Sequence, residues 1–323
     1  GKDLMIKSKR GGDKSAYSGA IIQSINHISI ADVLKPLFLR THSDNLNQRR
    51  AVLAKGFASN YWLFYGEQKE FVFTLKSVSK GDSKSETVKV KASSKVINTD
   101  KIFDKSFQFE TVNNDTALLT INSFTWREDE AKVFEFFESA FKQIKTLKLE
   151  HLIIDIRENG GGDDNIWIKG ILPYIADKAW KTGSNYKVKI LEGSADEGET
   201  VGDVVEGEIS TVHAVDVDNQ YKFEGKVSVL IGPYTYSSSI LFANVVQNYG
   251  FAELVGNYTG GKTGQTGGTQ HFILPNSKLR TVVPRFLLAR PQGGQMKMPL
   301  TLNKQISYPM AESAQLIEKL IAE

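Results

Sequence analysis

Cysteine is absent from this chain, and with it go disulfide bonds, thiolate metal sites and any cysteine nucleophile. The absence leaves the compartment open, because cytosol and periplasm both suit a cysteine-free protein. Long apolar runs are missing too: none approaches the roughly 20 residues that span a bilayer. The opening GKDLMIKSKRGGDKS is charged and lacks the apolar core of a signal peptide. Histidine is sparse, at five residues (His27, His42, His151, His213 and His271), and no HExxH or clustered His/Asp/Glu spacing occurs, so neither a metal nor a cofactor is expected. Charge of one sign is not in excess either. Forty basic residues against 37 acidic ones leave a net charge of +3, whereas nucleic-acid domains usually carry one strongly basic face, so no nucleic-acid partner is expected.

What is present suits two domains, since 323 residues can bury two cores. Residues 1–97 suggest a smaller α+β domain. AIIQSINHISIADVLKPL predicts a strand, a turn at Asn26-His27, a short strand and a helix from about Ala31. A second helix is predicted from Asp44 to about Ala58, burying Leu46, Val52, Leu53 and Phe57. Two strands follow, EFVFTLKSV and ETVKVKA, and then a linker, SSKVINTD, with the boundary near residue 98.

Residues 98–323 suggest an α/β core. FQFETV and TALLTINSF are strands, and EDEAKVFEFFESAFKQIKTL places Val133, Phe134, Phe137, Phe141, Ile144 and Leu147 on one helical face. HLIIDIR is the continuous apolar run of a parallel strand, which completes a βαβ unit. NIWIKGILPYIADKAW predicts a helix broken at Pro173. Residues 181–224 interrupt this rhythm with an acidic middle (Asp196, Glu197, Glu199, Asp203, Glu206, Glu208) and suggest a surface arm near the site. HFILP and LRTVVPRFLL pair around Asn276-Ser277, and ESAQLIEKLIA closes the chain as a helix.

The chemistry concentrates between Val227 and Lys262. An apolar strand, a Gly-Pro turn and the triplet Ser237, Ser238, Ser239 precede a helical pattern, a second apolar strand and a glycine loop that ends on Lys262. Amides at the start of a helix can stabilise negative charge on a reacting carbonyl. Lys262 comes one helix and one strand after Ser237, where a strand end can return beside the helix start. It accepts a proton only as the neutral amine, and no Asp or Glu lies between Val255 and Gln270 to hold it charged. Two other readings compete: Ser237 as a plain helix N-cap, and Gly256, Gly261, Lys262 and Thr263 as a phosphate-binding G-x-x-x-x-G-K-[ST] loop, which requires a helix after it. A histidine base would have to be His213. The loop RENGGG, Arg157 to Gly162, follows its strand directly; its glycine amides could form an oxyanion hole, or the glycines could simply make a tight turn.

These segments resemble the carboxyl-terminal processing (tail-specific) serine peptidases. LIIDIRENGGG is similar to that family's strand and glycine loop, the Ser237 to Lys262 segment to its Ser/Lys motif, with Gly256 and Thr259 in register, and AIIQSINHISIADVL to the later half of its PDZ-like domain. The resemblance implies a crotonase-like core preceded by a PDZ-like domain, and an endopeptidase that acts on protein or peptide substrates in the periplasm or outside the cell. It implies Ser237 as nucleophile, Lys262 as general base, and the amides of Gly161 and Ser238 as oxyanion donors. The chain departs from the family pattern at Ile240, where a Glu is frequent, and at Gln265, one residue short of a frequent Gln. Gln265 is therefore a candidate orienting residue, and the replaced Glu motivates an alternative, an inactive peptide-binding protein on the same fold.

Overall fold

A computed structural model of the chain describes residues 3–7, 15–77, 84–93, 102–126, 128–294, 296–306, 317, 318, 320 and 321. It divides into two compact units, Gly1–Ile102 with Ser307–Glu323, and Phe103–Ile306. The boundary expected near 98 lies outside the described residues, as does most of the closing helix. The end of the chain, expected with the second domain, groups with the first unit instead; its described residues Ile317 and Leu320 are buried.

In the first unit, β1 (Ile21–Ile25), β2 (Ile28–Ser29), β3 (Glu70–Lys76) and β4 (Ser85–Lys91) form an antiparallel sheet in the order β2-β1-β3-β4. Asn26 and His27 take positive φ (49° and 66°) and make the tight β1–β2 turn. Helix α1 (Ile30–Arg40) is capped by Ser29 Oγ, which accepts from Asp32 N, and buries Val33 and Leu37. The single helix expected over 44–58 is two, α2 (Leu46–Lys55) and α3 (Phe57–Tyr65), broken at Gly56. Leu53 is buried as expected, but Leu46 and Val52 are exposed, and Gln48 and Ala51 are buried in their place.

The second unit is built on a six-stranded sheet. After α4 (Phe103–Ser106) come β5 (Phe107–Thr111), β6 (Thr116–Ile121), α5 (Glu130–Leu147), β7 (His151–Asp155), α6 (Asn165–Gly170) and α7 (Leu172–Ile175). Next are β8 (Asn185–Lys189), β9 (Val204–Glu208), β10 (Lys226–Ile231), α8 (Ser238–Tyr249), β11 (Glu253–Gly256), β12 (Gln265–Ile273), β13 (Arg280–Leu288) and β14 (Lys304–Gln305). The main sheet runs β14-β11-β10-β7-β6-β5, parallel except for β5. Its central strands are buried on both faces, as their unbroken apolar runs require. Helix α5 starts at an Asp129 cap, ends on Lys148 in the left-handed region, and buries Val133, Phe137, Ala140, Phe141 and Ile144; Leu147 is exposed. The expected break at Pro173 is real: the proline opens α7 after α6 has ended.

Residues 181–224, expected to form a surface arm near the site, contain paired strands. β8 and β9 form a hairpin whose β8 edge pairs with β13, giving a second sheet in the order β12-β13-β8-β9. Sequence spacing hides this, because β8 and β13 are nearly a hundred residues apart and β8, NYKVK, carries little apolar signal. Parallel strands β6, β7, β10 and β11 all end at the same edge of the main sheet, so the loops at 122–126, 156–164, 232–237 and 257–264 converge there. Carboxyl ends of parallel strands are the usual binding edge of α/β sheets.

The packing of α6 on α5 is tight enough to test. A methyl group at Gly170 would lie 2.3 Å from the ring of Phe137, which is fully buried. Gly170→Ala should therefore destabilise the protein by about 1–3 kcal/mol. In a Phe137→Ala background the clash is gone, and the better helix propensity of Ala, worth about 1 kcal/mol, should make the same change neutral or stabilising. Urea denaturation of both singles and the double checks this, and simple additivity would refute it.

Candidate active site

Three loops meet through Asn159, a side chain with no solvent exposure. Its Nδ2 donates to Ile121 O at the end of β6 (3.1 Å), its Oδ1 accepts from Gly161 N (2.9 Å), and its own carbonyl accepts from Tyr236 N (3.2 Å). The loop after β10 is fastened further by Thr235, also fully buried, whose Oγ1 donates to Ile156 O (2.9 Å) and accepts from Gly232 N (3.0 Å). At the root of the glycine loop, Arg157 grips Asp155 through Nε (2.9 Å) and Nη2 (2.5 Å). Burial works against the Arg157 cation, but the bonds and charge of Asp155 outweigh it and raise its pKa further.

These staples hold Ser237 at the corner between β10 and α8 with φ 54° and ψ −126°. An L-residue rarely adopts that conformation, and holding it there costs on the order of 1–3 kcal/mol. Ser237 Oγ makes no capping hydrogen bond. The N-cap reading therefore fails on geometry: the residue occupies the cap position without doing the work of a cap. A sharp, strained strand-to-helix turn is one means by which hydrolases, those of the α/β-hydrolase fold among them, present a nucleophilic oxygen.

Gly161 lies directly against this corner. A methyl group there would fall 2.7 Å from Ser237 Cβ, 2.7 Å from Tyr236 O and 2.9 Å from Ser238 N, and its φ of 99° also demands glycine. The structure thus brings Gly161, Ser237 and Ser238 together. Their amides differ, however. Ser238 N opens α8, where no carbonyl lies one turn back to receive it. Gly161 N is already donated to Asn159 Oδ1, so the oxyanion role expected of it is not available in this state. Its carbonyl is also engaged, by Phe124 N at 3.1 Å.

Lys262 lies in the loop between β11 and β12. The preceding Gly261 packs between Tyr236 and Ile240, its Cβ position 3.2 Å and 3.1 Å from their side chains, so the loop lies against the residues that flank Ser237. Ile240 is fully buried in that contact. Gln265 is buried as well, but its Nε2 donates to Lys262 O (2.6 Å) and Gly264 O (3.1 Å). Both bonds go to backbone carbonyls of the lysine loop. The phosphate-loop reading is overturned, because strand β12, not a helix, follows Thr263. His213 stacks on Trp180 with ring centroids 4.1 Å apart, and burial lowers its pKa. That ring contact, inside the unit's aromatic cluster, gives it a packing role.

Sequence reasoning takes Asp164, with Asp163, only as a carboxylate that would repel a phosphate at the glycine loop, and does not single out Trp167 or Asn244. Asp164 Oδ1 accepts from Ser238 Oγ and from Trp167 Nε1 (3.2 Å), and Trp167 Nε1 also donates to Ser238 Oγ (2.9 Å). The side chain of Ser238 is therefore fixed from beneath while its amide faces the corner. Burial raises the Asp164 pKa, and the bonds from Ser238 and Trp167 only partly offset it, with Asp163 adding to the rise. A folded-state pKa above the unfolded one means that the contribution of Asp164 to stability is complete below the unfolded value, about 3.9, and is lost as pH rises through the folded one. Both donors use Oδ1, so Asp164→Asn keeps the acceptor and removes the charge. The variant should gain melting temperature over the parent at pH 7 and lose that gain near pH 3. Equal differences at the two pH values, measured by calorimetry, would refute this account of Asp164.

Comparison with known proteins bears on the same segments. No curated protein matches the chain by sequence. Among solved structures, mature CPAF is similar with a TM-score of 0.69 and 13% identity, over 98% of this chain and 79% of that one. CPAF complexed with lactacystin is similar with a TM-score of 0.66 and 14% identity, over 98% and 79%. At such identities the likeness is one of fold. The model of peptidase family S41 matches residues 115–298, more than half of the chain, from the first parallel strand through the glycine loop, Ser237 and Lys262 to the second sheet. The chain belongs to peptidase family S41, a family of serine peptidases.

Proposed function

We propose that the protein is a serine endopeptidase that hydrolyses peptide bonds of protein substrates with Ser237 as nucleophile and Lys262 as general base. The observation that carries the reading is the strained, uncapped Ser237 at the β10–α8 corner, in a chain of peptidase family S41. In this mechanism Lys262 Nζ removes the proton from Ser237 Oγ as the oxygen attacks the scissile carbonyl carbon. Charge on the carbonyl oxygen is met by the Ser238 amide at the helix start, where the α8 dipole adds its positive end. Gly161 N joins it if the Asn159 bond is exchanged for the oxyanion. The leaving amine takes the proton from Lys262, and water then releases the acyl group by the same steps in reverse.

The finer architecture belongs to the same proposal: a crotonase-like second unit, and a PDZ-like first unit that would receive substrate peptide. So does a site of action in the periplasm or outside the cell. The strand order of the parallel sheet and the four antiparallel strands of the first unit are compatible with that assignment.

Ser237→Ala should abolish cleavage of fluorescently labelled casein and adduct formation with a fluorophosphonate probe, with little change in melting temperature because no capping bond is lost. Ser237→Gly should be equally inactive and melt higher, since glycine adopts the corner without strain. Lys262→Ala and Lys262→Arg should both be inactive, a guanidinium being unable to give up its proton near neutrality. Retained casein cleavage by Ser237→Ala, or an active Lys262→Arg enzyme, would overturn the reading.

A further inference from the structure

Helix α8 is buried on every side from Ser238 to Val246, and amid its apolar residues stands Asn244, with no solvent exposure. A primary amide in such surroundings costs stability unless it is bonded. Its Nδ2 donates to Thr263 O at 2.8 Å, while its Oδ1 has no partner among the described residues. Half of the group is thus left unsatisfied, and packing alone would be better served by leucine.

Thr263 directly follows Lys262. The lysine loop is held from one side by Thr263 N donating to Met298 O (2.8 Å) and Gly264 N donating to Met296 O (2.9 Å). Gln265 Nε2 ties it internally, to Lys262 O. The bond from Asn244 comes from α8 itself, the helix that begins beside Ser237. Seven residues along a helix is about 10 Å, too far for Asn244 to touch the reacting atoms but close enough to couple the two loops rigidly.

We propose that Asn244 is a positioning residue that sets Lys262 relative to Ser237 by holding the carbonyl of Thr263. The inference rests on the Ser/Lys reading above. Nucleophile and base sit on segments 25 residues apart, joined through a helix and a strand, and small displacements between them matter: misplacement by about 1 Å can cost about a hundredfold in rate. A buried donor on the nucleophile's own helix makes the two segments move together.

The test uses the full chain with labelled casein as substrate. Asn244→Leu, which keeps the volume and deletes the donor, should lower kcat by about a hundredfold with KM little changed. Hydrogen–deuterium exchange should rise in peptides covering 259–265 and stay constant in those covering α8. Asn244→Asp can donate to the carbonyl only when protonated, so its kcat relative to the parent should fall as pH rises. A folded Asn244→Leu protein with parental kcat and exchange would overturn the proposal. Should that variant not fold, an Asn244→Asp to parent ratio that is constant with pH would do the same. Ser237→Ala and Lys262→Ala assayed alongside separate the two levels. Activity in either one sinks the Ser/Lys reading itself, whereas two inactive controls beside a fully active Asn244→Leu sink only the role of Asn244.

Discussion

The second unit depends on a backbone approach that leaves no room for one carbon atom, that of Gly161 against the corner at Ser237. The approach is enforced from beneath by Asn159, whose side chain and carbonyl join the loops after β6, β7 and β10. Each of those loops follows a parallel strand, so the sheet delivers them to one edge, and a single buried amide sets their spacing. Burial is what gives that amide its authority. Away from water an unmade hydrogen bond costs the full desolvation of the group, so the loops have few alternative arrangements of comparable energy.

The same physics explains how a strained residue persists. Ser237 is held in a conformation that the isolated chain would leave, and the energy comes from neighbours that are already satisfied: Thr235 stapled to Ile156, Tyr236 to Asn159, and Ser238 to Asp164 and Trp167. None of these bonds uses the Ser237 hydroxyl. Among the described residues, the corner therefore presents an oxygen with no capping bond next to a helix start whose first amide has no carbonyl to receive it. The cost is visible at Asp164, a carboxylate kept where burial opposes its charge because its oxygen fixes the serine that follows the corner.

The second sheet gives the 181–224 segment a strand pairing that length and acidity alone do not reveal. β12 leaves the lysine loop three residues after Lys262 and pairs with β13, which pairs in turn with β8. The acidic segment is thus continuous, through a hydrogen-bonded ladder, with the strand that leads out of the candidate site. Its side chains are mostly exposed, which is why the sequence there carries no core signal.

The sequence by itself determined the elements with a strong local pattern: the β6–α5–β7 unit, the apolar strands β10 and β11, the broken helix at Pro173, the Asn26-His27 turn, and the serine corner and glycine loop as loops that follow buried strands. In each of these a local pattern and the tertiary environment ask for the same residues. Tertiary structure alone decided the rest. Whether Ser237 caps its helix depends on a backbone conformation imposed by loops from other strands. Whether Gly161 N is uncommitted depends on where Asn159 Oδ1 points. Asp164, Trp167 and Asn244 acquire meaning only from partners 74, 71 and 19 residues away, and β8 only from β13. Such contacts leave no periodic trace, because a hydrogen bond across a folded core constrains one atom at each end and nothing in the sequence between them.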